Sequence, residues 1–360
     1  MLFIIKLDYY LEIGGIMEVK KFLLVFIALV IFLNLVPANI VNANTKQLKV
    51  HFIDVGQGDA ILIQTPEGKT MLVDGGPVSS GKKLVSFLKS KGVKKIDCVI
   101  ATHPDADHIG GLISVLKNFP VDRFIESGKV LSSEIYFELL SLIDKKNIKF
   151  HKANTSDSYL LDKNMTTQVL SVNEKASDND ASIVLKLTYN EVSFLLMGDA
   201  STEIEEKIRS DFDVAATVLK VGNHGSDTSS SPKFISNVKP KVGILSYGKN
   251  NSNGHPDSKV VKSLKNVNSK IYKTATDCDI TVTTNGVKYS VTSGCNKTAA
   301  KTAAKTPAKT TVKAPAKKTV QTGFKNCTEL RKVYPDGVSS SHPAYLPKFD
   351  RDKDGWACER

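Results

Sequence analysis

The stretch VIATHPDADHIGGLI, from Val99 to Ile113, decides the fold of this chain. An apolar run with the pattern of a strand ends here at a loop that places two histidines and two aspartates within the six residues from His103 to His108. A loop between a strand and a helix lets neighbouring side chains converge, and imidazole with carboxylate is a ligand set for divalent cations. Gly110 and Gly111 would let other backbone approach closely. The stretch therefore predicts a metal site at the carboxyl end of a strand.

Further ligand-type residues end other apolar runs. Asp74 lies in MLVDGG, Asp199 in FLLMGDA and His224 in LKVGNHGS. A single aspartate in such a place is often a turn residue or a helix cap. Together with the HPDADH loop, however, these residues predict one shared site. His255, in NGHP, is a candidate for the same cavity as a ligand of substrate phosphate or metal; the alternative is that it caps a helix before Pro256.

The composition is globular, with an excess of positive charge. Of 360 residues, 41% are hydrophobic and 24% are charged, so a sizeable core can form. The formal net charge is +12. This balance favours a polyanionic partner, such as DNA or an anionic wall polymer, although part of the excess lies in a lysine-rich tail.

The N-terminal segment 1–43 has the pattern of a secretory signal. The basic stretch MEVKK from Met17 precedes the apolar run FLLVFIALVIFLNLV, and the small-residue stretch VNA ends at Ala43. Met17 is the expected start, because the residues before it add nothing that a signal needs. The alternative is an uncleaved membrane anchor. Both place the body of the chain outside the membrane, so we expect a secreted or cell-surface protein without a multi-span membrane region.

Strands followed by helices occur twice in 46–295, which predicts an α/β domain of two packed sheets flanked by helices. In the second half, Thr202 and Glu205 have the spacing of a capping box. The segment 296–323 has no acidic residue and little apolar bulk, which predicts a disordered linker whose lysines either hold polyanions or only keep it solvated. The segment 324–360 is too small to fold on hydrophobic burial alone, so we expect staples there.

Export would make the five cysteines candidates for disulfides. Cys278 and Cys295 flank a predicted hairpin, and their pairing is left open. Cys327 and Cys358 both lie in the C-terminal segment. Cys98 falls within an apolar strand, where we expect it to act as a small buried hydrophobic residue.

Five stretches, taken in order, resemble the metallo-β-lactamase superfamily: FIDVGQGDAILIQTPEGKTMLVDGG, THPDADHIGG, FLLMGDA, LKVGNHGS and NSNGHP. More closely, they resemble the extracellular hydrolase domain of competence proteins of the ComEC/Rec2 type. The resemblance covers 46–292 and implies an αββα sandwich with a metal site at one edge. It assigns Asp107, His108 and His224 to one metal position and gives Asp199 a shared or bridging role.

By the same resemblance, the other metal position is less complete. The superfamily has a histidine where this chain has Asp105, and no histidine near Asp180 supplies the usual third imidazole. His103 and Asp105 would hold a second ion with solvent, or with Asn179 or Asp180. Asp74 is expected to orient a metal-bound histidine rather than to bind the ion.

The resemblance implies a metal-dependent hydrolase, because a bound divalent ion lowers the pKa of its water from about 15.7 to about 7. Asp107 or Asp105 would then orient or deprotonate that water. One or two zinc ions are expected, with manganese a rival because Asp105 makes one position harder. The competence resemblance favours DNA or another phosphodiester as substrate. The alternatives are a hydrolase of a small ester, lactone or lactam, and a non-catalytic cell-surface protein that binds calcium or polyanions.

The C-terminal stretch FDRDKDGWACER places carboxylates at alternate positions before a glycine, which is typical of a calcium loop. It resembles the Excalibur domain, an extracellular calcium-binding module; the alternative is a solvated acidic tail. The resemblance implies a disulfide between Cys327 and Cys358 and calcium ligands at Asp350, Asp352, Asp354 and Glu359. The linker and this module are candidates for attaching the chain to the cell envelope.

Overall fold

The computed structural model describes 47–295, 324–334, 338–339, 343–351 and 356–358. These residues form two units, one ending at Cys295 and one beginning at Phe324, and each is described by itself. The predicted signal segment and linker lie outside the described residues, and the domain boundaries drawn through them stay predictions. None of the helices in the described part is long and apolar enough to cross a membrane.

The described part of the first unit contains two sheets. Its strands, in chain order, are β1 Leu48–Phe52, β2 Ile61–Gln64, β3 Thr70–Val73, β4 Cys98–Ala101, β5 Arg123–Glu126, β6 Lys149–Lys152, β7 Ser158–Asp162, β8 Met165–Ser171, β9 Val184–Tyr189, β10 Val192–Leu196, β11 Val218–Lys220, β12 Val242–Leu245, β13 Lys270–Lys273, β14 Ile280–Thr284 and β15 Tyr289–Ser293. The first sheet has the order β15-β14-β1-β2-β3-β4-β5-β6, and the second has the order β13-β12-β11-β10-β9-β8-β7.

Each sheet has a parallel part. Strands β3 to β6 run parallel in the first sheet, and β10 to β13 run parallel in the second. The α-helices of this unit are α1 Gly81–Ser90, α2 Ala106–Ile109, α3 Leu112–Asn118, α4 Glu134–Lys145, α5 Thr202–Asp211, α6 Pro232–Val238, α7 Ser258–Asn266 and α8 Thr274–Asp277. Parallel strands end at the same edge of their sheet. The loops after β3 and β4 therefore leave one edge of the first sheet, the loops after β10 and β11 leave one edge of the second, and the four loops can meet.

Three apolar clusters define four layers. Phe52 and Phe194 belong to the cluster between the two sheets. Leu112 lies in a second cluster, where the first sheet packs on α1, α3 and α4. Phe234 lies in a third, where the second sheet packs on α5, α6 and α7. The predicted αββα sandwich is confirmed.

Strand β4 shows how the layers position the site. All four of its residues are buried, and they alternate between the two clusters on either side of the first sheet, as a strand covered on both faces requires. Cys98, at its start, is buried and free of a disulfide, as predicted. The chain leaves β4 at Ala101, so His103 lies two residues beyond the carboxyl end of a strand that packing holds on both faces.

The capping box predicted for Thr202 and Glu205 is wrong. The helix α5 does begin at Thr202, but its N-cap is Ser201, whose side chain accepts a hydrogen bond from the backbone of Glu203. Glu205 is buried, and its carboxylate accepts hydrogen bonds from the backbone N–H groups of Ser230 and Ser231. The side chain of Glu205 therefore binds the segment before α6, although the local sequence pattern predicted that it would cap α5.

Cysteine pairs close both units. The hairpin of β14 and β15 is flanked by the disulfide Cys278–Cys295, a pairing that the sequence left open. In the second unit, the helix α9 Cys327–Val333 carries Leu330 into a small core with Phe324. Two short strands, β16 Val338–Ser339 and β17 Trp356–Ala357, pair antiparallel. The disulfide Cys327–Cys358 joins the helix to the residue after β17, with an S–S distance of 2.05 Å.

Candidate metal centre

Asp74 links the loop after β3 to the loop after β4. Its carboxylate accepts hydrogen bonds of 2.8 Å from both the backbone N–H and the hydroxyl of Thr102. It also lies 2.9 Å from Nδ1 of His108, which donates to it. Because Nδ1 is the donor, the other ring nitrogen of His108 is left as a free acceptor. The expected orienting role of Asp74 fits this geometry.

Asp199, after β10, faces two imidazoles from opposite halves of the fold. Its Oδ2 atom lies 3.4 Å from Nε2 of His108 and 3.2 Å from Nε2 of His224. The same Nε2 atom of His224 lies 3.3 Å from Asp107 Oδ2. Four side chains therefore converge on one point between the two sheets' ends, and Asp199 is the one that reaches both histidines.

The buried donor atoms at this point fit a metal ion. Among the described residues, Nε2 of His103, Nε2 of His108, Nε2 of His224 and Oδ1 of Asp199 are buried and have no hydrogen-bond partner. Ligand atoms of His103, His108 and Asp199 lie within 4.8 Å of one another, as do those of Asp107, His108 and His224. Buried polar atoms are almost always satisfied, so a cluster of unsatisfied ones implies an ion that they hold.

His103 is held from its other side. Its Nδ1 atom lies 3.0 Å from the hydroxyl of Thr102 and 3.2 Å from that of Ser182, which also accepts a hydrogen bond from the backbone of Asp199. Its Nε2 atom faces the cavity and lies 3.7 Å from Asp105 Oδ2. Asp105 thus comes near His103, but it belongs to none of the groups in which three ligand atoms converge among the described residues.

Asn179 and Asp180, the two other residues expected at the His103 metal position, both accept hydrogen bonds from backbone N–H groups. One carboxylate oxygen of Asp180 accepts a hydrogen bond from the backbone of Ser201 and so supports the start of α5. Asn179 accepts a hydrogen bond at its backbone carbonyl from Ser182. That either side chain contributes a ligand stays a prediction. The short helical turn at 179–181 brings the hydroxyl of Ser182 to 3.2 Å from Nδ1 of His103.

The charged and ionisable side chains of the cluster shift one another's pKa values. Burial alone would lower the pKa of His108, but Asp199 and Asp74 raise it well above its usual value. Burial would raise the pKa of Asp107, yet the contacts with His224 and His108 lower it to about 2. Burial and the neighbouring His108 lower the pKa of His103 to about 3. His103 and Asp107 therefore already have the neutral and ionised states that a divalent cation requires, whereas a cation bound at His108 would have to displace the proton that the two aspartates favour there.

Backbone geometry lets the loops approach so closely. A Cβ atom on Gly111 would lie 2.0 Å from the carbonyl oxygen of Gly75, so only glycine fits beside the loop after β3. His224 and Asn223 both have positive φ angles, 54° and 42°, in a tight turn after β11. The turn aims Nδ1 of His224 at the carbonyl oxygen of Ser246, 3.0 Å away. The amide of Asn223 instead donates to Thr228, so the histidine alone faces the cluster.

His255 lies beside His224 of this cluster. Its ring centroid is 6.1 Å from that of His224, and its Nδ1 atom is buried without a hydrogen-bond partner in the described part of the chain. The alternative role as a helix cap is wrong, because Asp257 caps α7 by accepting from the backbone of Lys259. His151 is exposed on β6 and contacts Asp157, away from the cluster.

Sequence reasoning missed a buried ion pair directly beneath the cluster. Asp59, in the loop between β1 and β2, lies 2.6 Å from the ammonium of Lys220, the last residue of β11. Burial would raise the pKa of Asp59, but Lys220 and then His224 lower it below its usual value. The one available signal was a lysine inside the apolar run AATVLKVG, since a buried lysine needs a carboxylate partner.

Only one of the predicted calcium ligands is described. Asp350 is buried, and its Oδ2 atom accepts a hydrogen bond of 2.6 Å from the hydroxyl of Tyr345. Asp352, Asp354 and Glu359 lie outside the described residues.

The chain belongs to the metallo-β-lactamase superfamily, which it matches over 53–249, more than half of its length. It also matches the Excalibur calcium-binding domain over 324–359. The fold is therefore that of metal-dependent hydrolases, it implies a divalent metal, and a calcium-binding module follows it in the chain.

Its relatives include a protein named for the ComE operon and a protein named for recombination. The chain is 33% identical to ComE operon protein 3 of Bacillus subtilis over 246 residues, which are 63% of this chain and 32% of that protein. It is 29% identical to Recombination protein 2 of Haemophilus influenzae over 239 residues, which are 65% of this chain and 28% of that protein. The chain thus spans about a third of the length of these relatives.

Two further likenesses concern single parts of the chain. The SPbeta prophage-derived endonuclease YokF of Bacillus subtilis is 76% identical over 37 residues, which are 10% of this chain and 12% of that protein. Among solved structures, the metallo-beta-lactamase fold protein YhfI from Bacillus subtilis aligns with a TM-score of 0.45 at 12% identity, covering 63% of this chain and 96% of that one.

Proposed function

We propose that this chain is a metal-dependent phosphodiesterase that cleaves DNA outside the cytoplasm. The observation that carries the proposal is the cluster around Asp199, where three imidazole nitrogens are buried without hydrogen-bond partners among the described residues. Buried nitrogen atoms of this kind are satisfied when they bind an ion or a substrate atom.

In this proposal, one metal position is formed by Asp107, His108 and His224, and Asp199 is shared with a second position at His103. Zinc suits this mixture of imidazole and carboxylate, and manganese suits it if Asp105 takes part. A divalent ion bound here would polarise the phosphoryl group and supply hydroxide at neutral pH. Asp74 and the carbonyl of Ser246 hold the protons on Nδ1 of their histidines, so that each Nε2 faces inward.

In this proposal, the carboxylates of Asp105 and Asp107 orient or deprotonate the attacking water. The side chains of Asp105 and Asp107 are 31% and 34% exposed, whereas that of Asp199 is 7% exposed, so the first two reach the open side of the cavity. The low pKa of Asp107 keeps it ionised and able to accept a hydrogen bond from the water, whereas burial raises the pKa of Asp105 and makes it the better proton acceptor. His255, beside His224, is assigned to binding the substrate phosphate.

The choice of DNA as substrate rests on the relatives and on charge. One relative is named for recombination and another for the ComE operon, and an endonuclease shares the C-terminal segment. The net charge of +12 complements a polyanion. The Excalibur module, with its calcium, and the N-terminal signal pattern favour an extracellular or envelope location.

The test is a comparison of substrates with the zinc-loaded full chain. We expect nicking of supercoiled plasmid, loss of nicking with EDTA, and no nicking by His108→Ala. His151→Ala is the matched control, because this histidine is exposed and lies away from the cluster. Turnover of chromogenic lactams or esters without nicking would establish the small-substrate alternative instead. Less than about half an equivalent of bound metal, with no rescue by zinc or manganese, would favour the non-catalytic alternative.

A further inference from the structure

The ion pair between Asp59 and Lys220 lies under the metal centre and has no role in the chemistry described so far. Both residues are fully buried, with 1% and 0% of their surface exposed. The ammonium of Lys220 lies 2.6 Å from Asp59 Oδ2 and donates a second hydrogen bond, of 2.9 Å, to the carbonyl of Val221. Removing two charges from water carries a large desolvation penalty, so a pair in this place calls for a reason other than stability.

On one side, the Asp59 loop is fixed to the segment that carries Asp107. The backbone N–H of Asp59 donates to the carbonyl of Asp107 at 3.3 Å, and its carbonyl accepts from Gly76 at 2.7 Å. The neighbouring Gly58 lies so close that a Cβ atom there would be 2.1 Å from the carbonyl oxygen of Asp107. The backbone on either side of Asp59 therefore defines where Asp107 lies.

On the other side, the Asp59 carboxylate faces His224. Its Oδ1 atom lies 3.5 Å from Nδ1 of the histidine, the ring nitrogen that turns away from the cluster. Asp59 thus contacts one candidate ligand through its backbone and another through its side chain. Asp107 and His224 come from opposite halves of the sandwich, and this residue spans the junction between them.

Lys220 determines whether the Asp59 carboxylate is available to bind a metal ion. One oxygen of Asp59 falls within 4.8 Å of ligand atoms of Asp199 and His224, so distance alone would make it a metal ligand. An ammonium at 2.6 Å occupies the carboxylate and repels a cation. The same pair leaves Oδ1 of Asp59 without a hydrogen-bond partner of good geometry, and it points toward His224.

We propose that Asp59 and Lys220 form a positioning unit that sets the separation of Asp107 and His224, and that Lys220 keeps Asp59 from becoming a further metal ligand. The inference rests on the metal site of the proposed function, but it does not depend on the substrate.

The first experiment measures Zn²⁺ affinity by competition with a chelator. The variant Asp59→Asn/Lys220→Met removes both charges together, so no buried charge is left unpaired. We expect Zn²⁺ to bind this variant about ten- to a hundredfold more weakly, the usual effect of removing a group that orients a ligand. Lys83→Met is the matched control, because Lys83 pairs with Asp54 at the surface beside the same loop.

Circular dichroism and thermal unfolding establish that the variant is folded. If it does not fold, Asp59→Asn/Lys220→Gln replaces it, because this pair keeps a hydrogen bond between two neutral side chains. Wild-type Zn²⁺ affinity in the folded double variant would overturn the positioning role and leave the pair a structural feature only.

The second experiment tests the role of Lys220 separately, by the ratio of Mn²⁺ to Zn²⁺ affinity. Lys220→Met alone releases the Asp59 carboxylate toward the metal, and carboxylate oxygen suits Mn²⁺ better than imidazole does. We expect this ratio to be about tenfold higher in Lys220→Met than in the double variant, at the lower end of what changes around a ligand produce. Equal ratios would overturn the exclusion of Asp59 by Lys220. Both readouts are metal binding, so a chain that binds Zn²⁺ as expected but cleaves no DNA would refute the proposed function and not this inference.

Discussion

At the scale of single residues, the carboxylate of Asp199 is the element that both halves of the sandwich share. One of its oxygens faces Nε2 of His108 and Nε2 of His224, and its backbone N–H is held by the hydroxyl of Ser182. A turn or helix-cap role for Asp199 is already filled by Ser201, which caps α5. We therefore expect Asp199 to act as a metal ligand.

Replacing Asp199 should therefore affect metal content as well as rate. We expect Asp199→Ala to lower the metal bound per chain, measured by elemental analysis after dialysis, together with kcat/KM. Ser201→Ala is the control: it should destabilise the fold by about 1 kcal/mol through loss of the cap but leave the metal content unchanged. Full metal content in Asp199→Ala would contradict the shared role.

The two histidines of the HPDADH loop should differ in importance. Among the described residues, His108 belongs to three of the four groups of converging ligand atoms and is oriented by Asp74, whereas His103 has Asp105 as its nearest carboxylate at 3.7 Å. We expect His108→Ala and Asp107→Asn to abolish hydrolysis with the fold intact by circular dichroism, and His103→Ala to reduce kcat/KM by less. Equal losses for the two histidines would instead argue for two working metal ions.

At the scale of elements, the central strand β1 carries a buried histidine that makes stability depend on pH. His51 lies between Thr281 of β14 and Gln64 of β2, with contacts of 2.8 Å and 3.2 Å. Burial, helped by the nearby Lys91 ammonium, lowers the pKa of His51 to about 4. In the unfolded chain a histidine takes up its proton near pH 6.5, so the unfolded state binds more protons between these two values.

The free energy of unfolding should consequently fall as the pH falls from about 6.5 to 4, by about 3 kcal/mol in total from this residue. Urea unfolding at a series of pH values checks this. We expect His51→Gln to flatten the slope in that window, and His151→Gln, an exposed histidine, to leave it unchanged. An identical slope in wild type and His51→Gln would show that His51 does not carry the dependence.

The elements that the sequence predicted best are those with a strong local pattern. HPDADH follows a buried apolar strand, and Asp74, Asp199 and His224 each follow another, so their convergence was predictable from parallel strands ending at one edge. Glu205 was misassigned because distant backbone N–H groups, of Ser230 and Ser231, donate to its carboxylate. One oxygen of Asp180 likewise accepts a hydrogen bond from the backbone of Ser201. No local pattern contains such partners.

At the scale of the whole molecule, all proposed catalytic residues and all residues of the candidate metal centre lie in the first unit, none beyond His255. A chain cut at about Lys305 should therefore keep its activity toward short substrates, measured as kcat/KM with a chromogenic phosphodiester. Loss of that activity would contradict the two-module organisation. A loss confined to long DNA or to cell-surface material would show that the tail and the calcium module hold the substrate or the envelope.

The second unit should depend on its disulfide and on calcium. Its core is small, and the Cys327–Cys358 bridge joins α9 to the residue after β17. Loss of such a bridge in a small domain removes about 2–5 kcal/mol of stability. With calcium the segment from Phe324 should resist protease; with chelator, or after reduction, it should be cleaved while the first unit survives. Resistance under both treatments would contradict the stapled module.

The pairing of β1 with β14 has a consequence for how the first unit acquires its structure. Phe52 of β1 pairs with Ile280 of β14. The strand β1 is therefore synthesised long before β14, the strand with which it pairs. Contacts so distant in sequence slow folding, because a long loop must close before they form. During synthesis, β1 would present an open edge until the final hairpin emerges, and an unpaired edge invites association between chains. A chain shortened within β14 should accordingly accumulate as aggregate rather than as a smaller folded domain.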